Sequence, residues 1–298
     1  MAITDKVGTV DAPPRLIRTE RGLALKYGDQ DIEVPRLKHG AVFVLVSNIA
    51  TQYSYCEYKL HLDYVKGREI LSYIREGLYE HRRQLGNFES FDFDIDPIPG
   101  QKAPVLINVG LDGEIYFNKV VSERWIFKLI KESEKIIIEP AIVDVIENVP
   151  ILAQPDIVIV DSNNTVTLIE LKTTSTNPYK LREQEKLQVQ LYAYLLEKHG
   201  FKLKHTCIVK VRRHTRFILK NNINRIVELL DNKFNSIVKV GKDVVVHKIN
   251  TSDCQTIENI IRWALEYWLY KRNPLPKPSP TKCKGCIHNR ICNFKLLL

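Results

Sequence analysis

The stretch that decides the fold is PDIVIVDSNNTVTLIELK, which runs from Pro155 to Lys172. Two apolar, β-branched runs flank a turn rich in Asp and Asn, and this pattern predicts an antiparallel hairpin. A turn centred on Asn163 pairs residues at equal distances from it, so Asp156 lies opposite Glu170. Lys172 comes two residues after Glu170 and therefore projects from the same face of the strand.

Two carboxylates and a lysine at the end of an apolar hairpin are costly to bury without compensation. Facing strand residues have Cβ atoms about 4.5–5.5 Å apart, close enough for both carboxylates to hold one divalent cation. Mg²⁺ and Mn²⁺ take such oxygen ligands, and a bound ion activates water and stabilises charge on a phosphate. Lys172 would orient that water or offset the negative charge. The alternative is a surface hairpin whose charged side chains face solvent.

The composition is that of a soluble globular protein with a sizeable core, since 44% of the 298 residues are hydrophobic and 27% are charged. The net charge is +9, and residues 201–227 and 271–298 hold eight and seven Lys/Arg residues with no acid. Clustered basic residues bind polyanions by releasing counterions, although a basic pI also simply aids solubility. The longest apolar run, 41–46, is too short to span a bilayer, and the first twenty residues lack a secretory pattern. We therefore expect a cytoplasmic protein with no membrane partner.

Periodicity predicts the elements around the hairpin. Helices are predicted from Ser47, as N-cap, to about Tyr64, and at about 68–85, 121–133, 181–197, 222–238 and 254–271. Strands are predicted at 103–110, 114–117, 136–138 and 142–146, with a second hairpin at about 204–219. Four prolines between Asn273 and Pro280 predict a stiff, extended connector.

Pro155-Asp156 followed by Glu170-Leu171-Lys172 resembles the signature of the PD-(D/E)xK nuclease superfamily. Upstream, Gly77-Leu78-Tyr79-Glu80-His81 is similar to the G-x-x-x-H motif of its RecB-like branch, which implies that His81 is a metal ligand. The alternative is that His81 is a solvated helix residue.

A helix downstream of the hairpin is similar to the Q-x-x-x-Y motif of the same branch. Its four-residue spacing places Gln190 and Tyr194 on one helix face, where both could hold a nucleic-acid strand. An overlapping frame, Gln188 and Tyr192, has the same spacing. We prefer Gln190 because the aliphatic residues that follow it match the family pattern.

Three cysteines lie close together near the carboxyl end, as Cys283-x-x-Cys286 followed by Cys292. Zinc could use them with His288 as the fourth ligand. Together with the distant Cys56, they instead resemble the four-cysteine iron–sulfur site of CRISPR-associated RecB-like nucleases. The other two cysteines stand alone in apolar patterns and are predicted to be buried in the core: Cys207 and Cys254.

The order of all these motifs resembles the CRISPR-associated RecB-like exonuclease family that carries a [4Fe–4S] cluster. The resemblance implies an α/β, restriction-endonuclease-like core, with a mixed central sheet flanked by helices and a helical cluster region. It implies Mg²⁺- or Mn²⁺-dependent cleavage of single-stranded DNA ends, from the 5′ end, in CRISPR adaptation beside the CRISPR integrase proteins. The implied ligands of the divalent metal are His81, Asp156, Glu170 and the Leu171 carbonyl, with Lys172, Gln190 and Tyr194 completing the catalytic site. The implied cluster ligands are Cys56, Cys283, Cys286 and Cys292.

Three segments follow from this arrangement: a β-rich extension over 1–46, a nuclease core over 47–272, and a cysteine-rich segment over 273–298 that packs with Cys56. The chain departs from the family where Glu57-Tyr58 follow Cys56 in place of Pro-Arg. It also has Gln154-Pro155 before the aspartate in place of a glycine-containing turn. Two other functions stay open: a repair or recombination nuclease outside CRISPR, and a non-catalytic DNA-binding scaffold with a structural cluster.

Overall fold

The computed structural model describes residues 15–19, 22–27, 30–33, 35–41, 43–66, 79–80, 83–84, 108–109, 115–116, 135–138, 142–161, 165–198, 200–232 and 236–296. The strands are β1 (Arg15–Thr19), β2 (Gly22–Tyr27), β3 (Gln30–Glu33), β4 (Val44–Leu45), β5 (Asn108–Val109), β6 (Ile115–Tyr116), β7 (Lys135–Ile138), β8 (Ile142–Ile146), β9 (Val149–Ala153), β10 (Ile157–Val160), β11 (Thr165–Thr174), β12 (Lys202–Arg212), β13 (Ile237–Gly241) and β14 (Val244–Lys248). The helices are α1 (Val46–Ala50), α2 (Glu57–Val65), α3 (Glu183–Lys198), α4 (Ile223–Asn232), α5 (Cys254–Trp268) and α6 (Pro280–Lys284). A π-helical turn, Thr51–Cys56, joins α1 to α2.

The central sheet has six strands in the order β13-β14-β12-β11-β10-β7. Strands β11 and β12 are parallel, and the other neighbours in this sheet are antiparallel. A parallel pair needs a crossover, which α3 supplies between the two strands. A second sheet, β4-β9-β8, also mixes parallel and antiparallel pairs. The predicted α/β class with a mixed central sheet is confirmed.

The predicted hairpin and its register are confirmed. Strand β10 pairs with β11 from Ile157↔Ile169 to Val160↔Val166, the pairing that a turn centred on residue 163 requires. All four residues of β10 are buried, because side chains alternate between two covered faces. Val158 and Leu168 pack in the core that includes α3 and α5, whereas Ile157 and Ile169 pack in the core that includes α4.

The amino-terminal helix differs from its prediction at both its start and its middle. Helix α1 begins at Val46, directly after β4, with Leu45 in the N-cap position, so the prediction of Ser47 as N-cap is wrong. Because β4 pairs with β9, the chain passes straight from a strand into the helix. The backbone then becomes extended at Cys56 (φ −166°, ψ 116°), which separates the π-helical turn from α2.

The predicted second hairpin and the predicted helix over 222–238 are wrong in part. Residues 204–212 belong to one long strand, β12, whose antiparallel neighbour is β14 rather than the segment that follows it. Helix α4 ends at Asn232, and the alternating pattern of 237–241 forms the edge strand β13. The predicted helix over 254–271 is confirmed as α5. Within the described segments, no helix has the length and apolar character that crossing a membrane requires.

Several predicted elements fall largely outside the described residues. These are the helices at 68–85 and 121–133 and most of the strands at 103–110 and 114–117, within which β5 and β6 lie. The bounds proposed for the three segments of the chain stay a prediction.

Candidate active site

The two predicted acids meet at one end of the hairpin. Asp156 immediately precedes β10, and Glu170 lies on β11. The Leu171 amide donates to Asp156 Oδ2 at 2.6 Å, and the Asp156 amide donates to Glu170 Oε2 at 3.3 Å. Both acids are buried, with 7% and 3% of their surface exposed. Two nearly buried carboxylates side by side require positive charge for compensation.

Lys172 supplies part of that charge. Its Nζ lies 2.6 Å from Glu170 Oε1. Burial alone would lower the pKa of Lys172, but the Glu170 and Asp156 carboxylates outweigh burial and raise this pKa above its ordinary value. The lysine is therefore a cation held against the carboxylates.

Helix α3 covers the same face of the sheet and brings an amide to the acids. Gln188 Nε2 donates to Glu170 Oε1 at 3.2 Å, and Gln188 Oε1 accepts from Lys172 Nζ at 3.3 Å. One turn later, the Tyr192 hydroxyl accepts from Gln188 Nε2 at 2.6 Å. Burial first, and then the Glu170 carboxylate, raise the pKa of Tyr192 well above its ordinary value. Tyr192 is thus a neutral phenol within the site.

The preferred Gln190–Tyr194 frame is wrong, because these side chains do not reach the hairpin. Gln190 Nε2 donates instead to the Asn250 carbonyl at 2.9 Å. Burial first, and then the carboxylates of Glu258 and Asp144, raise the pKa of Tyr194 to about 12. These carboxylates lie on α5 and β8 rather than on the hairpin. A shift of two residues turns the side chain by about 200° around a helix, which moves it to the opposite face. The alternative frame, Gln188 and Tyr192, is the one that contacts the acids.

A second lysine, Lys210, lies beside the site and was not predicted from the sequence. Lys210 lies on β12 in register with Lys172 on β11, and only 2% of it is exposed. Its Nζ lies 2.8 Å from Glu185 Oε2 on α3, and the Glu185 carboxylate also raises the pKa of Lys172. Glu185 precedes Gln188 by one helical turn, so both face the sheet. The sequence signal was a lone lysine inside the apolar run of β12.

The described acids can supply carboxylate ligands to a divalent cation. Asp156 and Glu170 have the hard oxygen donors that Mg²⁺ and Mn²⁺ prefer. Among the residues that the structure describes, no group of three or more His, Cys, Asp or Glu side chains is placed to hold a metal ion. The predicted third side-chain ligand, His81, lies outside those residues, and the roles of His81 and of the Leu171 carbonyl stay predictions.

The residues next to His81 contact the segment that follows β12. Glu80 Oε2 accepts from the His214 amide at 3.2 Å, and Gln84 Nε2 donates to the Arg212 carbonyl at 3.3 Å. The Arg213 amide in turn donates to the carbonyl of Thr174, the last residue of β11. Glu80 and Gln84 therefore lie against the segment that is hydrogen-bonded to the end of β11.

Four cysteines line one cavity in the described part of the chain. The cavity encloses about 400 Å³ of empty space, including space open to solvent, between α2 and the chain that follows the proline connector. Its wall also includes Tyr55, whose pKa rises to about 12 through burial and, next, through the Cys286 thiol. The cysteines in the wall are the predicted cluster ligands: Cys56, Cys283, Cys286 and Cys292.

The zinc alternative with His288 as fourth ligand is not favoured by the geometry. His288 is absent from the lining of the cavity, and its Nε2 lies 2.7 Å from Asp63 Oδ1. The predicted burial of Cys207 is confirmed, whereas the predicted burial of Cys254 is wrong, since Cys254 is exposed as the first residue of α5.

A buried carboxylate fixes both sides of the cysteine cavity. Glu57, which follows Cys56, is fully buried and forms two hydrogen bonds with the Arg272 guanidinium. Glu57 Oε2 also accepts from the Leu275 amide in the proline connector at 2.6 Å, and Glu57 Oε1 accepts from Gln52 Nε2 at 2.7 Å. Glu57 therefore ties helix α2 to the carboxyl-terminal segment.

The fold and the hairpin acids define the class of protein. A mixed sheet whose central hairpin carries Pro-Asp and Glu-Leu-Lys is the arrangement that the sequence predicts for a PD-(D/E)xK nuclease. The model of the PD-(D/E)XK nuclease superfamily matches residues 116–293 of this chain, and the chain belongs to that superfamily.

Among solved structures, the chain is similar to the crystal structure of SSO0001. The two are 14% identical, with a TM-score of 0.44, and the match covers 86% of this chain and 89% of the other. At this distance the similarity carries no argument about function. A search of curated proteins finds no match.

Proposed function

We propose that this protein is a metal-dependent deoxyribonuclease that cleaves single-stranded DNA ends. The observation that carries the proposal is the buried contact set in which Asp156, Glu170 and Lys172 meet Gln188 of α3. In a surface hairpin, the three charged side chains would be exposed to solvent. In a non-catalytic scaffold, burying two adjacent carboxylates would cost stability without serving the function. The superfamily to which the chain belongs consists typically of metal-dependent nucleases.

Each residue has a distinct task in this proposal. Asp156 and Glu170 would hold Mg²⁺ or Mn²⁺, and such an ion would supply activation of a water and stabilisation of charge on the scissile phosphate. Lys172 positions the attacking water or offsets negative charge on the phosphate. Gln188 fixes the orientations of both Glu170 and Lys172 through its amide, and Tyr192 fixes Gln188.

The finer assignment rests on resemblance. The motif order is similar to that of CRISPR-associated RecB-like exonucleases, and it supports 5′-to-3′ trimming of DNA before spacer integration, beside the CRISPR integrase proteins. His81 would complete the ligand set, as the resemblance to the G-x-x-x-H motif implies. A general repair role would use the same chemistry.

The four-cysteine cavity supports a [4Fe–4S] cluster as the second cofactor. The four thiols line one cavity and are the donor type that such clusters use, but within the described residues they do not converge as a group placed to hold a metal. The cluster would join α2 to the segment after the proline connector, a region that Glu57 and Arg272 already hold together. We expect a broad visible absorption band in anaerobically purified protein, which Cys286→Ser abolishes and Cys254→Ser preserves. Colourless protein with stoichiometric zinc would reject the cluster.

The decisive experiment on the nuclease is cleavage of end-labelled single-stranded DNA with Mn²⁺ by the wild type and by Asp156→Asn. The variant keeps the shape of the side chain and loses a carboxylate ligand, so cleavage should disappear while the melting temperature and the visible band persist. Asp144→Asn, which replaces a partly buried aspartate of β8 that pairs with Lys198, is the matched control. Cleavage by Asp156→Asn at the wild-type rate would refute the assignment, and inactivity of the wild type would favour the scaffold.

A further inference from the structure

The loop between β11 and α3, residues 175–182, begins three residues after Lys172. Most of this β11–α3 loop is exposed; Pro178 is buried and Leu181 is half-buried. Tyr179 has 43% of its surface exposed although it is a large aromatic residue. The loop thus places an aromatic ring on the surface a few residues beyond the catalytic lysine.

Two buried side chains hold the backbone of this loop from beneath. Lys210 Nζ donates to the Lys180 carbonyl at 2.7 Å, and His247 Nε2 donates to the Pro178 carbonyl at 2.8 Å. Each of these two side chains is only 2% exposed. A buried ammonium requires full compensation by partners, and here one partner is the backbone of an exposed loop. The loop is therefore fixed in place rather than merely connecting two elements.

The exposed side chains of the loop have the chemistry of a single-strand contact. Within the part of the chain that the structure describes, Tyr179 and Lys180 make no side-chain hydrogen bond or ion pair. Arg182 lies near Tyr55 in the wall of the cysteine cavity. Its positive charge lowers the pKa of Tyr55 and so opposes the increase that burial causes. Gln184, at the start of α3, donates to Thr51 Oγ1 at 2.7 Å. The loop and the helix start thus extend from the active site to the π-helical turn.

We propose that the β11–α3 loop is a preorganised platform for the single-stranded DNA that the active site cleaves, with Tyr179 stacking on a base and Lys180 and Arg182 binding phosphates. The proposal rests on the proposed nuclease function and adds the path of the substrate. Aromatic stacking suits any base, and cationic side chains follow the backbone of a single strand. A loop that is already fixed loses less conformational entropy when the strand binds.

The experiment measures binding rather than cleavage. Fluorescence anisotropy of a labelled single-stranded DNA is followed without divalent cations, so that the strand stays intact. Tyr179→Ala should raise Kd about tenfold, which corresponds to the lower part of the free-energy range for stacking one base on an aromatic ring. Tyr179→Phe keeps the ring and should have the wild-type Kd. Lys180→Gln combined with Arg182→Gln should reduce the slope of log K against log salt by about 1.4, for two phosphate contacts.

Matched controls separate the platform from general surface effects. Tyr270→Ala removes a ring that is 56% exposed on another part of the surface, and Lys239→Gln combined with Lys242→Gln removes two charges at strand β13 and its turn. Tyr270→Ala should leave both Kd and the salt slope unchanged. The double lysine variant should change them only by the small amount expected from removing two positive charges far from the bound strand.

Three outcomes decide the proposal. Wild-type Kd and salt slope in both loop variants would overturn the platform while leaving the nuclease function intact. Equal effects in the loop variants and the matched controls would also overturn it. Loop-dependent binding in a wild type that cleaves no DNA would support the platform and refute only the proposed nuclease function.

Discussion

Replacing Gln188 with alanine removes the amide that joins the acids, the lysine and helix α3. The change breaks the hydrogen bonds from Nε2 to Glu170 at 3.2 Å and from Lys172 to Oε1 at 3.3 Å. A hydrogen bond to a charged group contributes about 1.5–3 kcal/mol, and these two are long enough to lie at the low end. A combined loss of about 3 kcal/mol in transition-state stabilisation lowers kcat/KM roughly a hundredfold.

The assay is kcat/KM for cleavage of single-stranded DNA with Mn²⁺, with thermal melting as the check on folding. Gln190→Ala is the matched control, since it changes the same residue type two positions along the same helix, where the side chain donates to the Asn250 carbonyl instead of contacting the acids. It should stay within about twofold of the wild type, because a surface change alters little. Equal losses in the two variants, or a larger loss in Gln190→Ala, would refute the geometric argument.

Three further predictions concern stability and reactivity. Glu57→Gln leaves the Arg272 guanidinium without its buried partner and should lower the free energy of unfolding by about 3 kcal/mol in urea titrations; an unchanged midpoint would contradict this role. Burial lowers the pKa of His247, so the unfolded chain binds a proton at a higher pH than the folded protein does. The free energy of unfolding should therefore fall as the pH drops below about 6.5. His247→Gln should weaken this pH dependence in urea titrations. Burial raises the pKa of Cys207 to about 12, so iodoacetamide at pH 8 should alkylate the exposed Cys254 and spare Cys207 until the protein unfolds, as peptide mass spectrometry can verify.

The catalytic hairpin could be predicted because its determinants are local. The apolar runs of β10 and β11 and the Asp/Asn turn fix the register, and the register alone places Asp156 opposite Glu170. Because both faces of β10 are covered and apolar, the apolar runs alone would tolerate a slip of one residue, and the position of the Asp/Asn turn selects the register.

The helix frame could not be predicted in the same way. Gln188 and Gln190 have identical motif spacing, and only the packing of α3 against the sheet decides which one faces Glu170. Lys210 could not be predicted for the same reason. A lysine in a strand is usually exposed, and Lys210 is buried because β11 pairs beside it and α3 packs over it. The false hairpin over 204–219 arose because β14, which is distant in sequence, takes the place beside β12.

The two sites differ in how much of the chain must come together to build them. The acids, both lysines and the glutamine lie between residues 156 and 210, so a short loop closure suffices for their assembly. The cysteine cavity instead joins position 56 to positions 283–292, and its walls meet only when nearly the entire polypeptide has collapsed. We therefore expect the hairpin and its crossover to form before the cavity closes, because the cavity walls are separated by more than two hundred residues.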